Sequence, residues 1–381
     1  MNKLSLSILL VVASLSLQAQ ISYPSVDKGL KFQAQDESAL IKFSFRAQSL
    51  FDYSNNFDGN DEEMKAMVRR ARLKFGGYLF NPKYEYKVEL GLSNRDIGNK
   101  RDEAQVNNAS RIILDAVFKY HMGNHSQIWF GQTKLPGNRE RVISSMALQF
   151  VDRTNVNSKF NIDRDFGVQY RYKRNLGEAP LFLAAAVTAG EGRNITIVNN
   201  GGLSYTGRVE IHPLGAFQKK GAYFSSDLKR EEKPRLAIGA SYCFNQQTDR
   251  SQGQLGSFVT DSNGSVFNDL TSVFVDLMFK YQGWSVQSVY AKRDIASKVA
   301  GYTYGDGFAA QAGYLFDNNM EVSARYTTVS LAEEMGAASV SNEYTLGLSN
   351  YIVAHKVKWQ TDFSLINDND YRFRFQLEFG I

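Results

Sequence analysis

Lysine and arginine recur at every second position in several segments of the chain. Arg70, Arg72 and Lys74 alternate with apolar residues, and Arg372 and Arg374 do the same near the C terminus. In an extended strand, residues two apart point to the same side, so each segment predicts a short row of cationic donors on one face. Guanidinium and ammonium groups in such rows recognise phosphate and other anions.

A second group of basic residues lies in a long polar stretch, residues 136–164. It carries Arg139, Arg141, Arg153 and Arg164 together with apolar residues such as Phe150. Apolar side chains on a wholly exposed loop are costly, so the stretch is predicted to fold into the space that the strands enclose. The competing interpretation is a loop that packs against a neighbouring subunit or caps the outside.

The strands that would hold these residues are clearest at the C terminus. From Tyr371 to Ile381 aromatic and aliphatic residues occupy one parity, and mainly charged or polar residues occupy the other. A segment of about 10 residues can cross a bilayer as a tilted strand, with its apolar face to lipid and its charged face to water. The chain therefore ends on a predicted transmembrane strand.

Similar alternating segments recur along the chain, and about 16 strands are predicted. They lie near residues 41–48, 70–79, 84–92, 111–121, 126–135, 165–173, 181–189, 203–212, 234–244, 271–281, 284–292, 307–316, 320–328, 342–350, 355–365 and 371–381.

Short turns between these strands alternate with long polar stretches, which is typical of outer-membrane barrels with short periplasmic turns and long extracellular loops. The long stretches include 54–66, 93–110, 136–164 and 245–270. One long segment, 212–233, falls where a short turn is expected and is interpreted as an extended periplasmic connection. The predicted fold is an all-β, transmembrane antiparallel β-barrel; a secreted β-sandwich or solenoid is the alternative.

The N terminus predicts export. A short basic start and a mostly apolar run to Leu17 precede small residues at a cleavage site, so residues 1–19 are predicted to be a secretory signal peptide. Residues 20–39 would form a short periplasmic segment, and 40–381 the barrel. No run of about 18 apolar residues follows, which excludes a helical membrane protein.

The composition is typical of a barrel whose apolar residues lie in a band on the outer surface. The chain has 13% aromatic residues, 6 prolines, 1 cysteine and a net charge of +5. A single cysteine rules out an internal disulfide, and few prolines leave strands uninterrupted. The mild positive charge suits small anions or anionic lipopolysaccharide, and nothing points to nucleic acid.

On the face assigned to the lumen, cations outnumber carboxylates. The predicted anion-contacting residues of the strands are Lys42, Arg46, Arg70, Arg72, Lys74, Lys356, Lys358, Arg372 and Arg374, beside the four arginines of the long loop. If the last strand pairs with the first, Arg372 and Arg374 are expected near Lys42 or Arg46, as the densest basic wall. For any single arginine, pairing or simple solvation in a wet lumen is the competing interpretation.

Catalytic and metal-binding patterns are weak. The four histidines are not paired with serine on an outward rim, and His121 and His125 flank a predicted turn. We therefore expect no enzyme activity, no cofactor and no metal centre. The acidic loop segments are interpreted as solvated tips, with calcium binding as the alternative.

Three segments together resemble the phosphate-selective porin O and P family. They are Arg69-Arg70-Ala71-Arg72-Leu73, Gly131-Gln132-Thr133-Lys134-Leu135-Pro136 and Arg164-Asp165-Phe166-Gly167-Val168. The resemblance covers most of the mature chain, and the overall style is like that of the Bacteroidetes members. It implies a 16-stranded barrel in the bacterial outer membrane, commonly a homotrimer, that conducts small anions. It does not by itself establish a preference for phosphate.

The expected function is thus a water-filled outer-membrane channel for small anions, with phosphate or polyphosphate as candidates. The expected surroundings are membrane lipid, lipopolysaccharide and the barrel-assembly machinery that reads the C-terminal strand. The alternative is a non-conducting barrel with a binding, assembly or adhesion role, which large loops filling the lumen would favour.

Overall fold

The computed structural model describes residues 20–22, 30–97, 111–195, 202–332 and 340–381. In this part of the chain, sixteen long antiparallel strands close into one barrel. The fold class and the strand number predicted from the sequence are confirmed. The expected signal peptide, residues 1–19, lies outside the described residues.

Two strands precede the barrel, and a small hairpin lies in one outer loop. In chain order the strands are β1 (Gln20–Ser22), β2 (Leu30–Gln33), β3 (Ala39–Asn56), β4 (Glu63–Leu79), β5 (Tyr84–Gly91), β6 (Ile113–Met122), β7 (Ser126–Lys134), β8 (Arg164–Leu176), β9 (Ala179–Thr188), β10 (Ser204–Ile211), β11 (Arg235–Thr248), β12 (Thr260–Asp261), β13 (Gly264–Ser265), β14 (Asn268–Tyr281), β15 (Trp284–Ile295), β16 (Gly305–Leu315), β17 (Met320–Leu331), β18 (Val340–His355), β19 (Val357–Ile366) and β20 (Asp370–Gly380). The barrel consists of β3–β11 and β14–β20.

The helices are short. They are α1 (Asn94–Ile97), α2 (Arg139–Val142) and α3 (Asn155–Phe160), with two 3₁₀ turns at Ser145–Ala147 and Gln218–Tyr223. No helix among the described residues has the length and apolar character needed to cross a membrane.

Alternation along each strand separates a lipid face from a lumen face. In β20, Phe373, Phe375 and Phe379 remain 40–47% exposed on the outside, whereas Arg374 and Glu378 are at most 5% exposed inside. Closure into a barrel pairs the backbone groups of neighbouring strands with one another, while the apolar side chains meet lipid.

The barrel closes by pairing β20 with β3, as predicted, but in a different register from the one expected. Gly380 pairs with Arg46, whereas Arg374 pairs with Asp52. In an antiparallel pair the start of one strand meets the end of the other, so Arg374 lies far from Lys42. The predicted basic wall of Arg372 and Arg374 beside Lys42 or Arg46 is therefore wrong.

Short and long connections alternate as predicted. One outer loop is shorter than predicted, and the N-terminal segment pairs with the barrel. Strands β3 and β4 extend across most of the stretch 54–66, which reduces that outer loop to residues 57–62. The N-terminal strand β2 pairs with Leu40–Phe43 of β3, beyond the end of β20. It thereby covers a part of the β3 edge that β20 does not reach.

Buried apolar side chains lie mainly inside the barrel. One cluster includes Phe160, Phe274 and Val289; another includes Ile143, Phe217 and Met278. Both join wall strands to segments that enter the lumen from loops. Because these segments occupy part of the lumen, their positions determine where an open passage remains.

Candidate functional site

The constriction loop, residues 135–163 between β7 and β8, folds into the barrel. The Val151 N–H donates to Asp362 on β19 at 3.1 Å, and Arg46 on β3 donates to the Ser145 hydroxyl at 2.7 Å. The loop therefore reaches wall strands far from its own. The inward fold predicted from its apolar residues is confirmed.

Small side chains on the wall make room for the constriction loop. A Cβ added at Gly347 would lie 2.8 Å from the Phe150 ring, and one at Gly313 would lie 2.0 Å from the Gln149 amide. Real atoms do not approach so closely, so glycine at these inward positions permits the contact. Phe150 is accordingly buried against the wall.

Both ends of α3 in the constriction loop are fixed. Thr154 caps its start by accepting a hydrogen bond from the Asn157 N–H at 3.1 Å. At its other end, Arg293 of β15 donates to the carbonyls of Lys159 and Phe160 at 3.0 and 2.7 Å. A cation at the carbonyl end of a helix is favourable, so α3 is held with one face toward the lumen.

A second segment fills the lumen from the periplasmic side. This periplasmic insert, residues 213–234 between β10 and β11, was predicted as an extended periplasmic connection but folds inward. Ser226 donates to Glu321 on β17 at 2.7 Å, and Lys280 on β14 donates to the Gly221 carbonyl at 2.9 Å. Phe217 packs with the constriction loop. The loop and the insert together occupy the lumen beside β10, β11 and β14–β19, which we call the sealed side.

The other half of the lumen, beside β4–β8, retains a cavity of about 350 Å³ and is called the open side. The residues that line this cavity are Arg70, Arg72, Asp96, Leu114, Lys134, Arg141, Ser145, Asp152, Arg153, Thr154, Asn157, Ser158, Asn161, Asp163, Arg164, Arg193 and Leu255. Seven are cations and three are carboxylates, so positive side chains exceed negative ones by four.

Three of these cations bind mainly to uncharged backbone oxygens. Lys134 donates to the Arg141 and Val142 carbonyls at 2.8 and 3.2 Å. Arg153 donates to the Glu140 and Ile143 carbonyls at 2.8 and 2.7 Å. Arg193 donates to the Asp96 carbonyl at 2.6 Å. Carbonyl dipoles orient a cation without neutralising it, so its charge remains available to an ion in the cavity.

The positive groups also act on one another. Burial and then the neighbouring charge of Arg141 lower the pKa of Arg153 to about 9. Desolvation and like charge both disfavour the protonated form. An anion among these groups would offset the repulsion between their like charges.

The remaining cations of the cavity are shared with carboxylates. Arg164 donates to Asp115 at 2.9 Å and lies beside Asp163, which also binds Arg141. Arg72 binds Glu89 at 3.1 Å and also binds Asp96. Such networks fix the guanidinium planes in position and lower the net charge that each contributes.

The predicted contact residues separate into three groups. Five of them, Arg70, Arg72, Arg141, Arg153 and Arg164, meet in the cavity. Three others, Arg139, Lys358 and Arg374, are buried on or near the sealed side in contacts with carboxylates or carbonyls. The rest lie around the cavity or at the barrel ends: Arg46 beside Ser145, exposed Lys74, Arg372 beside Asp52, and Lys42 and Lys356 toward the periplasmic end.

Sequence reasoning missed Lys134 and Arg193 as cavity residues. Lys134 ends β7 on the parity that faces lipid elsewhere in that strand, and Arg193 follows β9 in a loop. Strand alternation carries no information where the chain leaves the sheet. Proximity to the long basic loop is the one signal that could have marked Lys134.

Among the described residues, no group of three histidine, cysteine, aspartate or glutamate side chains is arranged to hold a metal ion. The four histidines are dispersed as well. The Nε2 atom of His212 lies 2.9 Å from a carboxylate oxygen of Glu210 on β10, and the His355 ring stacks on Phe224 of the periplasmic insert.

A closed barrel of sixteen strands, an apolar outer face and an inward loop beside a polar cavity define a bacterial outer-membrane porin. The sequence profile described as phosphate-selective porin O and P matches residues 41–372. The chain belongs to this family, as the three motifs indicated.

Individual proteins resemble the chain over most of its length. An uncharacterized protein of Aquifex aeolicus is 22% identical over 370 residues, which is 87% of this chain and 83% of that one. The anion-selective porin from Comamonas acidovorans has a TM-score of 0.57 at 11% identity, covering 90% of this chain and 100% of its own. The trimer form of the outer-membrane protein OmpT of Vibrio cholerae has a TM-score of 0.55 at 11% identity, with 90% and 99% covered. At these identities the solved structures show a shared fold.

Proposed function

We propose that this porin is anion-selective and that the cavity on the open side sets its preference. The observation that carries the proposal is the excess of four positive side chains around a cavity of about 350 Å³. Rings of arginine and lysine favour anions in a pore, and the low-dielectric wall strengthens their field. The resemblance in fold to an anion-selective porin of Comamonas acidovorans supports the same conclusion.

The anion class that best fits the cavity is phosphate, including polyphosphate. Guanidinium groups grip a tetrahedral oxyanion through parallel hydrogen bonds, and Lys134 adds a point charge. Arg141 and Arg153 come from the constriction loop and Arg164 is the first residue of β8, and all three line the same cavity. Arg70 and Arg72 continue this surface along β4.

The proposal is tested by the reversal potential of the purified protein in a planar bilayer across a KCl gradient. Anion-selective conductance that phosphate blocks is the expected result. A cation-selective potential would overturn the proposed role of the cavity. Anion-selective conductance that phosphate does not alter would overturn the phosphate preference alone.

The proposal extends to assembly and export. The aromatic outer face and the terminal strand suit membrane lipid, lipopolysaccharide and recognition by the barrel-assembly machinery. A homotrimer is proposed because the family resemblance implies one and the Vibrio cholerae relative in fold has a trimer form. Cross-linking in outer-membrane vesicles tests the trimer, and the mass of the exported chain tests removal of residues 1–19.

A second candidate function, a non-conducting binding barrel, is favoured by one observation. The periplasmic insert and the constriction loop occupy the whole sealed side, with Ser225 of the insert donating to the Ala147 carbonyl at 2.9 Å. Absence of conductance from correctly folded protein would support this alternative and overturn the channel.

A further inference from the structure

The cavity has a neutral polar surface as well as a basic one. Ser145, Thr154, Asn157, Ser158 and Asn161 all line it, and all five come from the constriction loop. Inorganic anions need donors, which the cations already supply. Hydroxyl and amide groups both donate and accept, so they suit a ligand that carries hydroxyl groups.

Asn161 is the most informative member of this surface. It is 5% exposed and its Nδ2 donates to the Asn157 carbonyl, whereas its Oδ1 is buried with no partner among the described residues. A buried acceptor without a donor costs free energy, so native structures usually satisfy it. Asn161 lines the cavity, so a hydroxyl group of a ligand held there is a suitable donor.

Ser158 lies in α3, three residues before Asn161, which directly follows the helix. It is exposed within the cavity lining, whereas Asn157 is buried beside it and accepts a hydrogen bond from Asn138 at 3.2 Å. Ser158 and Asn161 therefore offer two neighbouring hydroxyl-binding groups. Arg153 and Arg141 offer charge in the same cavity.

We propose that the cavity preferentially takes hydroxylated organic anions, above all phosphate esters of sugars, with the phosphate on Arg141 and Arg153 and the hydroxyls on Ser158 and Asn161. The inference rests on the proposed anion-selective function and names a narrower substrate class for the same site. A single tetrahedral oxyanion has five non-hydrogen atoms, whereas sites of about 300 Å³ or more hold small organic molecules. The cavity of about 350 Å³ thus has room for a sugar ring beside the phosphate.

The test measures block of the KCl current through single channels by glucose 6-phosphate, inorganic phosphate and glucose. The two phosphates carry similar charge, so the comparison isolates the sugar. We expect glucose 6-phosphate to block at a concentration about tenfold lower than inorganic phosphate, the equivalent of one or two hydrogen bonds. Glucose alone should not block.

Two variants locate the effect. Asn161→Leu and Ser158→Ala should each weaken block by glucose 6-phosphate and leave block by inorganic phosphate unchanged. Ser364→Ala is the matched control, since Ser364 faces the lumen and bonds to Thr345 but does not line the cavity. Ser158 is exposed, so its variant keeps the test valid if Asn161→Leu disturbs folding.

The outcomes separate this inference from the function on which it rests. Equal block by both phosphates, with no effect of either variant, would overturn the substrate class and leave an anion channel. A channel that prefers cations and responds to neither phosphate would overturn both. Preferential block by glucose 6-phosphate that Ser364→Ala also removes would place the ligand elsewhere and overturn the proposed subsite.

Discussion

Arg139 and Arg141 are two residues apart in the constriction loop, yet they have opposite surroundings. Arg139 points to the sealed side, is 0% exposed, and binds Asp276 at 3.0 Å and Glu210 at 3.1 Å. Arg141 points to the open side, shares Asp163 and lines the cavity. The comparison predicts that an arginine inside a barrel acts on ions only where carboxylates match its charge incompletely and water can reach it.

The same contrast holds for the two sides as a whole. On the sealed side, Arg208 binds Asp276 and Glu210, both at 2.7 Å, and Arg374 binds Asp362 at 2.7 Å. Those pairs hold the walls and the inner segments together. On the open side, Lys134, Arg153 and Arg193 bind carbonyls, and positive charge remains.

The largest expected effect is on stability, from Arg139→Ala. Removing one partner of a buried ion pair typically costs about 3–5 kcal/mol, and here we expect about 3 because Arg208 still binds both carboxylates. Arg372→Ala is the control, because Arg372 is 37% exposed and its pair with Asp52 should contribute less than about 1 kcal/mol. Thermal unfolding of the barrel in detergent measures both. Equal losses of stability in the two variants would show that the buried Arg139 contributes no more than the partly exposed Arg372.

The next effect is on selectivity, from Arg141→Glu combined with Arg153→Glu. The cavity would then hold five cations and five carboxylates instead of seven and three. A charge a few ångströms from an ion changes its energy by more than about 1.4 kcal/mol at intermediate dielectric, so the anion-to-cation permeability ratio should fall at least about tenfold. Reversal potentials measure the ratio, and Arg372→Glu is the control. A similar shift in the control would mean that the whole lumen, not the cavity, selects ions.

A smaller effect is expected from removing the periplasmic insert. Ile211 already pairs with Ile238, so residues 214–232 can be replaced by a short Gly-Ser turn. Opening the sealed side should raise single-channel conductance about twofold, since a pore conducts through its open cross-section. The reversal potential should stay anion-selective because the cavity is intact. An unchanged conductance would show that the insert does not limit the passage.

The smallest expected effect is a pH dependence in the outer loops. Burial raises the pKa of Glu191 to about 8, and the adjacent Asp249 adds to the shift. The neutral form is favoured in the folded loops, so their packing is strongest below the ordinary glutamate value of 4.5 and weakens as pH rises through about 8. Backbone amide hydrogen exchange of residues 249–256 should therefore become faster between pH 4.5 and about 8, by more than the intrinsic pH dependence of exchange. The Glu191→Gln variant should show only the intrinsic dependence. If the additional acceleration of exchange persists in Glu191→Gln, Glu191 is not its cause.

Strand alternation was enough to predict the walls. The last strand, the sixteen-strand count and the lipid face all follow from residues that alternate every second position, because a strand has no other way to separate lipid from water. The constriction loop was also recognisable, since Ile143, Leu148 and Phe150 would be costly on an exposed loop.

The site itself was only partly predictable. Whether Arg139 or Arg141 lines the cavity depends on carboxylates from β10 and β14, which are distant in sequence. Arg372 and Arg374 were expected near Lys42 or Arg46. Instead, Arg372 binds Asp52 of β3, and Arg374 binds Asp362 of the neighbouring β19. The inward fold of the periplasmic insert was not predicted, because residues 213–234 show no alternating pattern that would indicate that they enter the barrel.

The central claim is that anions gather on the open side, among Arg141, Arg153 and Arg164. The most direct measurement is anomalous X-ray scattering from crystals of the protein soaked in bromide. The account predicts bromide within the cavity, at hydrogen-bond distance from at least two of these guanidinium groups, and none beside Arg139 or Arg374. Bromide confined to exposed residues such as Arg372 or Lys74, with the cavity empty, would contradict it.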